Sequence, residues 1–174
     1  MKRYIKADTA DLNELSLVDK IEIAQNPATR PSTLVQLASD PELGVRYCVL
    51  QNPNTPKEVA DNPELRNLKL FQAGIDCYTT TEMCQPDNFP RVKDQLIESI
   101  RQANGGVIHI SMCNYNDDDM TDVSVDIDFV CMPEYMDDVA DAVFDTLGSS
   151  DFVEEASDIY ETHYEFVQGG DLTK

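Results

Sequence analysis

The sequence predicts an α+β protein in two parts: a short all-helical repeat segment over residues 1–74, then a sandwich of β-α-β-β-α-β order over residues 75–174. Three observations predict it. Gln-Asn-Pro-x-Thr stands at residues 25–29 and again at 51–55, 26 residues apart. Apolar spacing changes from a helical to a mixed helical and alternating pattern after about residue 75. Of the formal net charge of −20, residues 1–75 carry 10 acidic and 9 basic side chains, whereas residues 76–174 carry 23 and 4. Adaptation to salt would acidify every surface, so the acidity is a property of the second part alone.

In the first part, Leu17 to Pro27 aligns with Leu43 to Pro53, and each helix-like run stops at Asn-Pro. The proline ring disfavours the α conformation at the asparagine before it. "PATRPSTLVQLA" then restarts a helix, with Ser32 or Thr33 near its first turn and Leu34 and Leu37 on one face. "DNPELRNLKLFQAG" (61–74) repeats "SDPELGVRYCVLQN" (39–52) as a third, shortened copy.

Asn26-Pro27-Ala28-Thr29, Asp40-Pro41-Glu42, Val45-Arg46-Tyr47 and Asn52-Pro53-Asn54-Thr55-Pro56 resemble the units of the leucine-rich repeat variant (LRV) family over residues 17–74. The resemblance implies a right-handed stack of alternating α and 3₁₀ helices. Some family members carry an iron–sulfur cluster on an N-terminal cysteine-rich segment. No cysteine precedes Cys48 here, so no cluster is carried over. A stack needs roughly three repeats to bury its apolar faces. The free end is therefore expected to be covered by the second part or by a partner.

In the second part, "IDCYTTTEM" (75–83) reads as a strand from its β-branched and aromatic residues. "DNFPRVKDQLIESIRQANGG" is a helix with Pro90 at its start, Phe89, Val92, Leu96, Ile100 and Ala103 as its apolar stripe, and Gly105 past its end. Strands at 107–113 and 122–131 flank a polar loop over 114–121. "PEYMDDVADAVFDTLG" is a second helix, with Met136, Val139, Ala140, Val143, Phe144 and Leu147 inward and Gly148 as its stop. A strand at 157–167 closes the order, which is that of a ferredoxin-like sandwich.

The third strand alternates Val123, Val125, Ile127 and Phe129 with Asp122, Ser124, Asp126 and Asp128, so its carboxylates must face water. Glu161 and Glu165 on the fourth strand, Asp117, Asp118 and Asp119 in the loop, and Asp137, Asp138, Asp141 and Asp145 on the second helix complete a candidate partner-binding surface. The stripe Asp137, Asp141, Asp145 spaces its charges at about 6 Å. Duplex DNA carries one per about 1.7 Å, so imitation of a nucleic acid would need the sheet face, the loop and a second copy as well.

These features predict a non-enzymatic acidic binding protein that inhibits a nucleic-acid-handling protein by occupying its basic groove. In composition alone it is similar to phage-encoded anti-defence or anti-CRISPR-like inhibitors. The alternative is an adaptor that binds through the helical repeats, with the acidic unit as a solvated scaffold or dimerisation unit. The expected partner is a protein with a basic surface. No direct nucleic-acid contact is expected, because an RNA-binding sheet of this type shows aromatic and basic groups. Homodimer pairing through sheet edges stays open.

No cofactor, metal or catalytic residue is expected. The stretch 114–126 has Asp119 and Val125 where a calcium loop needs Gly and Glu. His109 and His163 fall on opposite edge strands, about 14 Å apart. Cys48, Cys77, Cys84, Cys113 and Cys131 lack Cys-x-x-Cys spacing and read as reduced, mostly buried thiols of a cytoplasmic protein. No apolar run is long enough to span a membrane, and the basic start "MKRYIKADTADLNEL" is not followed by a signal-peptide core.

Overall fold

The computed structural model describes residues 11–80, 88–117, 120–149 and 159–167. It mixes helix and antiparallel sheet and divides into two compact units, Met1–Leu68 and Lys69–Lys174.

In the first unit a 3₁₀ turn (Leu12–Glu14) precedes α1 (Leu17–Gln25), α2 (Pro31–Leu37), α3 (Leu43–Gln51), α4 (Lys57–Ala60) and α5 (Pro63–Arg66). α1 and α3 are each nine residues long, start 26 residues apart and pack on one another. Their ends repeat bond for bond. Asn26 caps α1 and accepts from the Ala28 N–H at 2.9 Å, as Asn52 caps α3 and accepts from the Asn54 N–H at 2.9 Å. The Thr29 hydroxyl donates to the Ile23 carbonyl at 2.6 Å, as the Thr55 hydroxyl donates to that of Val49.

What joins one copy to the next is the side-chain amide of Asn52. Its Nδ2 donates to the carbonyls of Ala24 at 2.7 Å and Asn26 at 2.8 Å, satisfying groups that the end of α1 leaves without helical partners. Asn54 adds a bond to the Pro27 carbonyl at 2.6 Å. Asn52 is only 5% exposed, whereas Asn26 is exposed. The same contrast holds along the helix: Gly44 and Cys48 are buried, while their counterparts Val18 and Glu22 lie open to water. Glu22 and Asn26 are polar groups on this side of α1, which also exposes Val18. A buried ion pair, Lys20 Nζ to Asp40 Oδ2 at 2.8 Å, fixes the α2–α3 connection against α1. Among the described residues, the one 26 places after Lys20, Arg46, meets no carboxylate, and its Nε is buried without a partner.

The second unit runs β1 (Lys69–Thr80), α6 (Asn88–Gln102), β2 (Gly106–Asp117), β3 (Met120–Cys131), a 3₁₀ turn (Pro133–Tyr135), α7 (Met136–Ser149) and β4 (Ile159–Val167). The four strands form one antiparallel sheet in the order β2-β3-β1-β4. Its buried face carries Phe71, Ala73, Ile75 and Cys77 from β1 and Val123, Val125, Ile127 and Phe129 from β3. Phe71 stacks on its cross-strand partner Phe129 with centroids 5.5 Å apart. Val92, Leu96 and Ile100 of α6 and Val139, Val143 and Leu147 of α7 complete the core.

Several sequence expectations are corrected here. The first strand begins at Lys69, not at residue 75, so the division between the units falls at Leu68. The third repeat copy ends at α5, and "KLFQAG", which matched a helical segment by sequence, pairs instead with β3 from Cys131 inward. The predicted loop over 114–121 is mostly ladder: β2 continues to Asp117 and β3 resumes at Met120. Phe144 is 38% exposed rather than core, and α7 runs through Gly148 to Ser149. The left-handed residue ending α6 is Asn104, at φ 62°, not a glycine. Gly105 is required for space. A Cβ there would stand 2.8 Å from Ile100 Cγ2 and 3.0 Å from Val139 Cγ2, both on fully buried side chains.

Two substitution pairs test these assignments by urea unfolding. Asn52→Ala leaves the Ala24 carbonyl without a donor, removes the second donor to the Asn26 carbonyl, which keeps the Thr29 N–H, and is expected to cost about 2 kcal/mol, whereas Asn26→Ala should cost under about 1 kcal/mol. Gly105→Ala should cost about 1–3 kcal/mol by overpacking α6 against α7, while Asn104→Gly changes stability by less than about 1 kcal/mol.

Candidate functional site: the carboxylate face of the sheet

Alternation along β3 sends one set of side chains into the core and the other to the opposite face. Asp126 is exposed there, and Ser124 and Asp128 are half-buried. Strand register then lays the outer face out in rows. One row reads His109, Asp128, Gln72, Glu165; the next reads Ser111, Asp126, Gly74, His163; the third reads Cys113, Ser124, Asp76, Glu161. Asp122 lies between Tyr115 and Tyr78, and Asp117 pairs with Met120 at the far end. For Asp117, Asp122, Glu161 and Glu165 the backbone position is described. Asp118 and Asp119 lie outside the described residues.

Neutral donors, not cations, hold the inner carboxylates of this face. Gln72 Nε2 donates to Asp128 Oδ1 at 2.8 Å, and the Ser124 hydroxyl donates to Asp76 Oδ1. Asp126, opposite Gly74, has no hydrogen bond or ion pair among the described residues. Asp76 joins the surface although the sequence reading did not single it out. Its signal was available in the alternation of β1 once that strand is started at Lys69.

The phase of β2 depends on a bulge. Val107 pairs with Phe129, and the next pair is His109 with Asp128, so Ile108 is the extra residue and stays buried. The adjacent apolar residues Val107 and Ile108 are its sequence sign. His109 and His163 occupy the two edge strands, as the sequence suggested.

Asp137, Asp138, Asp141 and Asp145 are all exposed on α7. Asp137 and Asp138 lie in its first turn, where the helix dipole favours negative charge. However, α7 belongs to the layer that covers the buried face of the sheet. Among the described side chains, Asp76, Asp126 and Asp128 therefore lie on one side of the unit and the α7 carboxylates on the other, so these acidic residues do not form one patch.

Among the described residues no group of three or more His, Cys, Asp or Glu is arranged to hold a metal ion. Asn114 and Asn116 stand in β2 and Asp122 in β3, so they line two strands and do not wrap a calcium loop. Burial pushes the Cys48 thiol up to about 12, offset in part by a hydrogen bond from Gln25. Burial, then the Glu134 charge, pushes Cys131 up to about 11. Burial is thus the larger cause at both thiols. These thiols are unsuited to nucleophilic attack. A shallow groove beside α6 and α7 is lined by Arg91, Asp94, Glu98, Ser99 and Thr146. No described helix is long and apolar enough to cross a membrane.

No protein-family model and no curated protein matches the chain. The solution structure of the C-terminal domain of the MgtC protein from Mycobacterium tuberculosis is similar at a TM-score of 0.41 and 10% identity, over 62% of this chain and 96% of that domain. A likeness that distant has no bearing on what the chain does.

The raised thiols carry a pH signature. Their protonated forms are favoured by folding, so their contribution is fully present below the ordinary thiol value of 9.0 and is lost as pH rises toward 11 and 12. Urea midpoints should fall above pH 9.0, and Cys131→Ala should make that decline shallower.

Proposed function

We propose that the chain is a non-enzymatic acidic binding protein that presents the outer face of its sheet to the basic surface of a protein partner. The observation that carries this reading is the row arrangement: Asp76, Asp122, Asp126, Asp128, Glu161 and Glu165 share one face by register, with no lysine or arginine in those rows. With Asp117 the face spans about 27 Å of strand at 3.4 Å per residue, or about one charge per 4 Å. That is roughly half the line density of duplex DNA at 1.7 Å per charge, and well above the 6 Å spacing of the α7 stripe. The sheet, not the helix, is the better match to a groove built for nucleic acid. Inhibition would follow from occupancy, with fast and salt-sensitive association.

We further infer that the second unit is a ferredoxin-like sandwich, which the element order and the strand order β2-β3-β1-β4 support. The first unit is an LRV-like solenoid, supported by the 26-residue recurrence of cap, turn and threonine bonds. Free, buried Cys48, Cys77 and Cys131 support a reducing, cytoplasmic setting. The adaptor reading differs in where the partner sits. It puts contact on the repeats and leaves the sheet as solvated scaffold.

Affinity capture followed by mass spectrometry, at about 0.05 M and about 0.5 M salt, separates the two. Capture of proteins with basic grooves should fall at least about tenfold at the higher salt. Asp126→Lys with Asp128→Lys should abolish it, while Asp137→Lys with Asp141→Lys should leave most of it. Capture that ignores salt, or survives the sheet reversals, overturns the proposal in favour of the repeats.

A further inference from the structure

The sheet has two edges, and their charge differs. β4, at one edge, places Glu161 and Glu165 in the outer-face rows. β2, at the other, runs "GVIHISMCNYN" from Gly106 to Asn116 without a single Asp, Glu, Lys, Arg or Pro. In a segment that holds 23 acidic residues over positions 76–174, this is the one long strand whose body has no carboxylate. Among the described residues no strand pairs with the outer side of β2.

An unpaired edge presents a row of free N–H and C=O groups that templates pairing with another strand. Proteins ordinarily block such edges with lysine, proline, inward charge or short length. β2 uses none of these over its twelve residues; only the bulge at Ile108 disturbs it, near one end. Partner chemistry follows from the charges. Two copies meeting at their β4 edges would bring glutamates together. Two copies meeting antiparallel at their β2 edges would bring positions 109, 111, 113 and 115 together and, apart from Asp117 at the end of each β2, the nearest carboxylates would lie one strand back, on β3.

We propose that β2 is a self-association edge, taken by β2 of a second copy of this chain in a two-fold antiparallel pair. The two acidic faces then join into one continuous sheet, doubling the width of the charged surface across the strands. The pairing stands whether or not that surface takes a basic partner, and its salt dependence has the opposite sign. Two strongly acidic chains repel, so screening strengthens self-association while it weakens capture of a basic protein.

Sedimentation of the full chain at tens of micromolar tests it. The expected species has twice the 19.5 kDa chain mass, and its association constant rises about tenfold from 0.05 to 0.5 M salt. Ser111→Glu, which puts a carboxylate on each side of the pair, should weaken association at least about tenfold. Glu161→Gln with Glu165→Gln, at the other edge, should leave it unchanged. Hydrogen exchange of the unmodified protein supplies an independent reading, with β2 amides more protected at high than at low concentration. A monomer at every salt concentration, association indifferent to Ser111→Glu in a folded variant, or β2 amides insensitive to concentration would each overturn the proposal.

Discussion

The second unit depends on one constraint: a strand cannot bury two adjacent side chains on the same face. Along β3, Val123, Val125, Ile127 and Phe129 fill the core, so Asp122, Ser124, Asp126 and Asp128 are committed to the other side. A slip of one residue in register would bury three aspartates and expose the core, at a desolvation cost no packing could offset. The same pattern that specifies the fold therefore specifies the charged face.

Layering gives that face its limits. With α6 and α7 covering the buried side, acidic residues on helix and sheet cannot meet one groove together. A −20 chain is not uniformly sticky toward cations. It offers a dense two-dimensional array on one side and a sparse single file on the other. Asp76 and Asp128 are held by Ser124 and Gln72, neutral donors that orient a carboxylate without neutralising it. In an array meant only for solubility such orientation has no use, whereas at an interface it lowers the ordering cost of contact.

The first unit depends on a different interaction, the one that joins consecutive copies of its 26-residue recurrence. Asn52 spends its amide on the carbonyls of the preceding copy and its oxygen on its own turn, so one side chain both ends a helix and joins two units. Its counterpart Asn26 keeps the turn and is otherwise exposed, beside Glu22 in place of Cys48.

Much of this was legible in sequence, where period alone decided the outcome. The 26-residue repeat, the element order and the outward phase of Asp126 and Asp128 all follow from spacing. The start of β1 was hidden, because "KLFQAG" sits where a third repeat would continue and only pairing with β3 removes it from the helical series. Phe144 fits the inward stripe of α7 yet sits at its margin, a matter of where neighbouring elements end. The separation of sheet and helix carboxylates could not be read from spacing, since it depends on which side of the sheet the helices cover. The most direct test of the charged face is titration of the isotope-labelled full chain with an oligolysine peptide, followed by backbone NMR. Shifts concentrated on Gly74, Asp76, Ser124, Asp126 and Asp128, and fading with added salt, are the predicted result. Shifts confined to α7 or to residues 11–68 would contradict it.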